Sequence, residues 1–463
     1  MTTINKGYSF LLMAITSMLF AGTATATNGY LTHGVGTKNK SMAGAGTALP
    51  QDAIDVANNP AGAAVIGTHR EVSFSLFSPM RDYTSSASAL NGASPDGMTP
   101  VFTIGPNSLS SKNELFFVPS FAMSWELSEQ NSLVLALYGR GGMNTQWKGG
   151  TASFEPGGPG TGVVQAPGTY GAGTAGIDLS QAFFNLTFGR STVDETFSWG
   201  VSAIAAVQKF KAQGVASFAG FTETFASSNG AQQPVNLSDN GSEWSFGGGV
   251  AGGVLWQPVP QFSLGARYTS KMYMSKFDKY ADLFAESGGF DVPANASIGI
   301  AYKPVERLTL AFDVEQIWYS DIDSVGNQVQ NLFSCPTTGQ GGMELSSCLG
   351  GNNGGGFGWD DMTIFKLGVQ YETTGPWTWR AGISHGKQPI GSDQMTFNIL
   401  APGVMETHLT AGFTHKQSDT SEWNLSFMYA PEKKVSGPNN FDPTQTIELK
   451  MQQFELEISY GWK

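Results

Sequence analysis

The chain has 463 residues, only 13% of them charged, with 12% aromatic residues, 59 glycines and a net charge of -12. A soluble protein carries about 25% charged residues, yet the mean hydropathy here is only -0.13, and beyond the first residues there is no run of about 18 apolar residues that would make a membrane helix. The acidic balance excludes a nucleic-acid-binding surface, which has to be basic.

Lys6 followed by the apolar stretch from Tyr8 to Phe20 and the small residues Ala24-Thr25-Ala26 has the pattern of a secretory signal peptide over 1–26, with an apolar core too short to span a bilayer. The mature chain is expected to start at Thr27. Residues 27–69 do not alternate like strands. Ser41 to Leu49 is small and helix-permissive, Pro50 breaks it, Asp52 to Ala57 is a second short helical stretch, and Asn58-Asn59-Pro60-Ala61-Gly62 follows. Asn before Pro starts a helix well, because the amide side chain caps free N–H groups and Pro at the first position loses no hydrogen bond. This compact, mostly uncharged segment is expected to sit in a barrel lumen as a hatch.

From residue 70 to the end, period-two segments recur, the mark of strands with one apolar face. Phe454, Leu456, Ile458, Tyr460 and Trp462 share one face of the last segment, and Glu455, Glu457, Ser459 and Gly461 the other. The predicted strands are 70–78, 115–126, 131–142, 177–190, 196–212, 242–257, 261–276, 291–303, 307–319, 361–373, 376–387, 404–416, 421–431 and 448–462. Their connections alternate strictly between short turns and long loops, the long ones at 79–114, 143–176, 213–241, 277–290, 320–360, 388–403 and 432–447. Short inner turns and long outer loops are the topology of an outer-membrane barrel, in which lipid-facing and lumen-facing residues average out in hydropathy. The fold class is therefore all-β, a 14-stranded antiparallel transmembrane barrel over 70–463. Trp199, Trp256, Trp318, Trp359, Trp377, Trp423 and Trp462 lie near strand ends, where aromatic girdles form at the membrane interfaces.

The two cysteines, Cys335 and Cys348, share one glycine-rich loop of an exported chain and are expected to form a local disulfide, worth about 3 kcal/mol in the chain-entropy model. His33, His69, His385, His408 and His415 show no metal-ligand spacing, and neither metal nor cofactor is expected. Ser384 and His385 are adjacent on a strand and face opposite ways, so they make no nucleophile–base pair, and the chain is not expected to be an enzyme.

The sequence resembles the FadL-type long-chain fatty-acid transporters of the outer membrane. The matching pieces are Met42-Ala-Gly-Ala-Gly with Asn59-Pro60-Ala61-Gly62, the stretch from Asp291 to Pro304, Trp359-Asp360-Asp361 leading into Leu367-Gly-Val-Gln-Tyr371, Arg380-Ala-Gly-Ile383 with Pro389-Ile390, and the aromatic last strand. The resemblance implies a barrel of the bacterial outer membrane closed by an N-terminal hatch. It also implies capture of a hydrophobic small molecule on outer loops, passage to an internal apolar pocket, and lateral release at an inward kink of the third strand. On that basis Asn59, Pro60 and Ala61 are candidates for holding the gate, though the same motif is also simple helix capping. Gly139, Gly141 and Gly142 are candidates for the lateral opening, or else begin a glycine-rich loop. Phe277, Tyr280, Leu283 and Phe284, at helical spacing, suggest an exposed amphipathic loop helix that captures ligand or merely packs on its neighbours. Alternation puts Arg140, Arg267, Lys366 and Arg380 on the lumen side, as candidates for a ligand carboxylate or as partners of lumen acids. The expected surroundings are outer-membrane lipid and lipopolysaccharide, and a plugged barrel needs no oligomer. Hydrocarbon uptake by the same route, or a porin for polar solutes, are the alternatives.

Overall fold

The computed structural model describes residues 28–336 and 342–463; the predicted export segment 1–26 lies outside the described residues. Fourteen strands close into one antiparallel barrel: β1 Arg70–Ser85, β2 Phe116–Ser128, β3 Asn131–Asn144, β4 Gly176–Ser191, β5 Phe197–Gln213, β6 Glu243–Val259, β7 Phe262–Thr269, β8 Asn295–Val305, β9 Leu308–Ile317, β10 Met362–Glu372, β11 Trp377–Gly386, β12 Thr407–Ser418, β13 Ser421–Asn439 and β14 Asp442–Trp462. Each strand pairs with the next in sequence, and β14 closes on β1 with Arg70 opposite Trp462.

The alternation read from sequence is the alternation of the wall. In β14, Leu456 is 45% exposed on the outer face, whereas Glu455 on the inner face is 4% exposed. Apolar outside and polar inside inverts the soluble pattern. It is stable only where the outer face meets lipid and the inner face finds polar partners. Trp199, Trp256, Trp377 and Trp423 lie on the outer face. Trp359 does not: it is buried, and its indole N–H donates to Asn398 Oδ1 at 2.6 Å.

Several boundaries differ from expectation. Residues 432–447 are no loop: β13 and β14 run on as a hairpin with only residues 440–441 between them. Polar residues such as Glu432, Lys433 and Lys434 disguise these strands, because the hairpin projects past the bilayer and has no lipid-facing side there. β7 ends at Thr269 and β8 begins at Asn295, so the loop between them is longer than predicted. Among the outer loops, Phe102–Ile104, Thr151–Phe154 and Val164–Pro167 form a small separate sheet.

Residues 28–64 are mostly buried and bonded to inward-facing groups of the wall. Helix α1, Thr37–Lys40, comes before the predicted stretch rather than within it, and Ser41 ends it. Lys40 Nζ reaches Glu455 at 2.5 Å and Glu457 at 2.6 Å on β14. The N–H groups of Gly46 and Thr47 both donate to Asp313 Oδ2 on β9 at 2.8 Å, and Thr47 Oγ1 lies 2.7 Å from Ser297 Oγ on β8. Burial alone would drive the proton off Lys40, but the two glutamates outweigh it and hold the ammonium above its usual range. His33, also fully buried, is pushed well below the usual histidine range by burial and then by Lys40 and Lys366.

Candidate functional site

Asn59, Pro60 and Ala61 begin a 3-10 turn, Pro60–Ala64. Asn59 Oδ1 accepts from Ala61 N–H at 3.0 Å, the expected cap, with Pro60 at the first helical position. Its Nδ2 also ties the turn to its surroundings, donating to Thr47 O at 2.7 Å and to Val254 O of β6 at 3.1 Å. The turn lies so close to the wall that a Cβ at Gly253 would stand 2.0 Å from Asn59 Oδ1, and one at Gly200 2.1 Å from Pro60 O. Glycine at these two wall positions is what lets the backbone approach.

β3 loses its regular pairing where the glycines lie. Its register with β2 runs from Ser128 opposite Asn131 only as far as Phe121 opposite Leu137. On the other side, pairing with β4 shifts between Gly139 and Gly141, leaving Arg140 as the extra residue of a bulge. Beyond Leu137 the edge facing β2 is taken up from inside by the N-terminal segment: Thr32 N–H donates to Arg140 O at 2.8 Å and Gly142 N–H to Tyr30 O at 3.0 Å. A Cβ at Gly141 would meet Gln181 Oε1 at 2.2 Å. The bulge of β3 thus lies just past the point where its pairing with β2 stops, and the N-terminal segment bonds the backbone of Arg140 and Gly142 there.

Arg140, Arg267 and Lys366 converge on one acid that the sequence did not single out. Glu315 receives Arg140 at 3.3 Å and Arg267 at 2.5 Å on Oε1, and Lys366 at 2.6 Å on Oε2. Asn295 Oδ1 accepts from both arginines. Asp313, two residues along the same face, is engaged by the N–H groups of Gly46 and Thr47. The group adjoins Lys40, Glu455 and Glu457 through His33, which touches both Lys366 and Glu455. Arg380 stands apart, donating to Gln370 at 2.7 Å, Thr414 at 2.7 Å and Gln51 at 3.0 Å. The signal for Glu315 was its place beside Asp313 on the non-lipid face of its strand; the convergence itself depends on β3, β7, β9 and β10 meeting across the lumen.

Phe277, Tyr280, Leu283 and Phe284 form no exposed amphipathic helix. Only the short turns Asp278–Tyr280 and Ala285–Gly288 are present, and Phe277, Tyr280 and Phe284 are buried. Helical spacing over 277–284 is too short to hold a helix without tertiary support, and these aromatics instead pack on Phe210 of β5. Leu283 and Phe284 line an apolar chamber beneath the outer loops with Phe210, Phe218, Leu349 and Phe397. Its free space is about 40 Å³, room for a few water molecules, so an acyl chain enters only if side chains move. From Phe284 ring contacts lead to Phe290, then Tyr30, then Tyr319 and Trp359, and Tyr30 is the residue bonded to the β3 bulge. This aromatic path was invisible in the sequence because its members come from the N-terminal segment and from two separate loops, those between β7 and β8 and between β9 and β10. The Cys335–Cys348 disulfide is present, with Cα atoms 4.8 Å apart, and Leu349 places the chamber wall directly beside it.

Ser384 and His385 do face opposite ways, but cross-strand register sets Ser384 opposite His408, with Oγ 3.0 Å from Nδ1. The pair is buried in the lumen against His33, whose ring stacks on His408. Among the described residues one cluster has metal-ligand chemistry, Asp52, His69 and Glu71, at the opposite end of the N-terminal segment from Tyr30.

Comparison with known proteins agrees with this architecture. A crystal structure of a Pseudomonas aeruginosa FadL homologue superposes with a TM-score of 0.62 at 14% identity, covering 94% of this chain and 99% of that one. The toluene transporters TodX of P. putida and TbuX of Ralstonia pickettii each superpose with a TM-score of 0.57 at 15% identity, over 93% of this chain and 99% and 98% of theirs. In sequence, the long-chain fatty acid transport protein of Salmonella typhi is 25% identical over 304 residues, 59% of this chain and 65% of that protein's length. The model of the outer membrane transport proteins, OMPP1/FadL/TodX, matches residues 18–457. Barrel, inverted hydropathy and family match agree: the chain belongs to the OMPP1/FadL/TodX family of outer-membrane transport proteins, a family of transporters and not of enzymes.

Proposed function

We propose that the protein carries long-chain fatty acids across the bacterial outer membrane. The observation that carries this reading is the convergence of three cations, Arg140, Arg267 and Lys366, on the single carboxylate of Glu315, near the inner end of an aromatic path. A ligand with an apolar tail and one carboxylate matches both: the tail gains about 0.8 kcal/mol per buried CH₂, and the head group takes charge-assisted hydrogen bonds from Arg140, the most loosely held of the three cations. A hydrocarbon would use only the path.

In this mechanism the ligand enters the chamber by displacing Leu283, Phe284 and their neighbours, and passes along Phe290 and Tyr30. Its carboxylate reaches Arg140, which sits on the bulge between Gly139 and Gly141. Engaging Arg140 competes with the backbone bonds of Tyr30 and Thr32 to β3. Release of those bonds would open the β2–β3 edge, so the ligand leaves sideways rather than through the periplasmic mouth. Residues 27–69 act as the hatch, and Asn59, clamped between Thr47 and Val254, holds it to the wall.

The test is uptake of labelled oleate by cells lacking their own transporter, with the native chain, with Asn59→Ala and with no chain. Restored uptake that the variant weakens supports the proposal. Absent uptake despite confirmed insertion in the outer membrane removes fatty acids as cargo. Toluene uptake in the same cells would then favour the hydrocarbon reading, for which the phenylalanine-rich chamber is the supporting feature.

A further inference from the structure

We propose that Asp52, His69 and Glu71 form a divalent-cation site that ties the N-terminal segment to the first barrel strand. One donor atom from each of the three lies within 4.8 Å of the others, and all three residues are buried. Atoms that close can share one ion at about 2.0–2.2 Å after small side-chain rotations. Asp52 comes from the turn that opens Ala53–Ala57, His69 from the residue before β1 and Glu71 from β1 itself. An ion there would join the segment to the wall at the short-turn end.

Two further observations point to a cation. Asp52 is 1% exposed, and while its Oδ1 meets Lys38 Nζ at 2.7 Å, its Oδ2 receives no hydrogen bond among the described residues. A buried carboxylate oxygen without a donor is costly, and bonding to an ion removes the cost. The surroundings are also acidic: Asp52, Asp55, Glu71 and Glu422 gather around Lys38, which pairs with Asp52 and Glu422.

The site can be reached. A cleft of about 360 Å³ lined by Lys38, His69, Glu422 and Lys463 opens at the short-turn end of the barrel. The competing use of His69 is weak: Ala53 N–H approaches its Nδ1 only at 3.4 Å. One imidazole with two carboxylates suits Zn²⁺ or a similar borderline ion better than Mg²⁺ or Ca²⁺, which favour all-oxygen sets.

The experiment is calorimetric titration of the EDTA-stripped full chain in detergent with Zn²⁺ and, separately, Mg²⁺. The expected result is one saturable Zn²⁺ site with much weaker Mg²⁺ binding. His69→Ala and Glu71→Gln should each weaken Zn²⁺ by at least about tenfold, whereas His385→Ala and His415→Ala leave it unchanged. Folding of each variant is checked by its heat-dependent gel mobility, and if one does not fold the other decides. No saturable Zn²⁺ site in the native chain, or native-like Zn²⁺ binding in a folded His69→Ala or Glu71→Gln variant, overturns the proposal.

Discussion

Glu315 holds three cations with two oxygens, so single substitutions around it have unequal consequences. Arg140→Ala removes the most weakly held cation, at 3.3 Å, and leaves Arg267 and Lys366 to neutralise Glu315. Folding should survive while oleate affinity falls by roughly ten- to a hundredfold, the loss of one charged hydrogen bond of about 1.5–3 kcal/mol. Toluene binding should not change, and parallel binding assays with the two ligands check this. Glu315→Gln is predicted to be worse for the fold, because three buried cations lose their partner. His33 supplies a pH effect at the same scale. Its folded pKa lies well below that of the free side chain, so below about pH 6.5 the unfolded chain binds a proton that the folded chain refuses. Stability should fall as pH drops through that value. Glu455 and Lys40 also face this ring, so the readout is the difference in melting temperature between native chain and His33→Gln at pH 7.5 and pH 5. A difference that does not grow at the lower pH would assign the acid sensitivity to other groups.

Among the elements, β3 and the turn Pro60–Ala64 are where backbone geometry is tied to the proposed route. Gly141→Val introduces a Cβ that would stand 2.2 Å from Gln181 Oε1, and adds β-branched stiffness to the bulge. The expected outcome is a folded barrel with oleate uptake reduced several-fold, measured against outer-membrane abundance. Uptake at the native level would take the bulge out of the route. Gly253→Leu acts at the other element by pushing Asn59 off β6. That costs about two hydrogen bonds of about 1 kcal/mol each and should loosen residues 28–64, seen as faster proteolysis of the segment with the barrel intact.

At the scale of the molecule, transport through this barrel requires the N-terminal segment to move relative to the wall. Thr47 and Ser297 present hydroxyls 2.7 Å apart, so the double variant Thr47→Cys, Ser297→Cys should cross-link on oxidation and stop oleate uptake, with recovery on reduction. The native chain with the same reductant is the control, since Cys335–Cys348 would open too. Uptake by the oxidised double variant would show that the segment need not leave β8.

The wall of the barrel was legible because lipid on one side and polar partners on the other impose period two on every crossing segment, and because short and long connections alternate as far as β13. The same logic put Arg140, Arg267, Lys366 and Arg380 inside. It failed for residues 432–447, where the outer face of the strands is polar because it meets no lipid, while inner-face residues such as Gln445 and Ile447 are buried against the loops, and for 277–290, where spacing within one short segment imitated a helix. Sequence alone determined the strand count, the faces, the disulfide partners and the capped Asn59-Pro60 turn, all of which follow from local periodicity or nearest-neighbour chemistry. Only tertiary structure decided that Glu315 gathers three cations, that Tyr30 and Thr32 bond the bulge of β3, and that Asp52 meets His69 and Glu71. Those meetings are made by closing the barrel around its own N-terminus, which brings together residues up to hundreds of positions apart, and no local pattern in the chain records them.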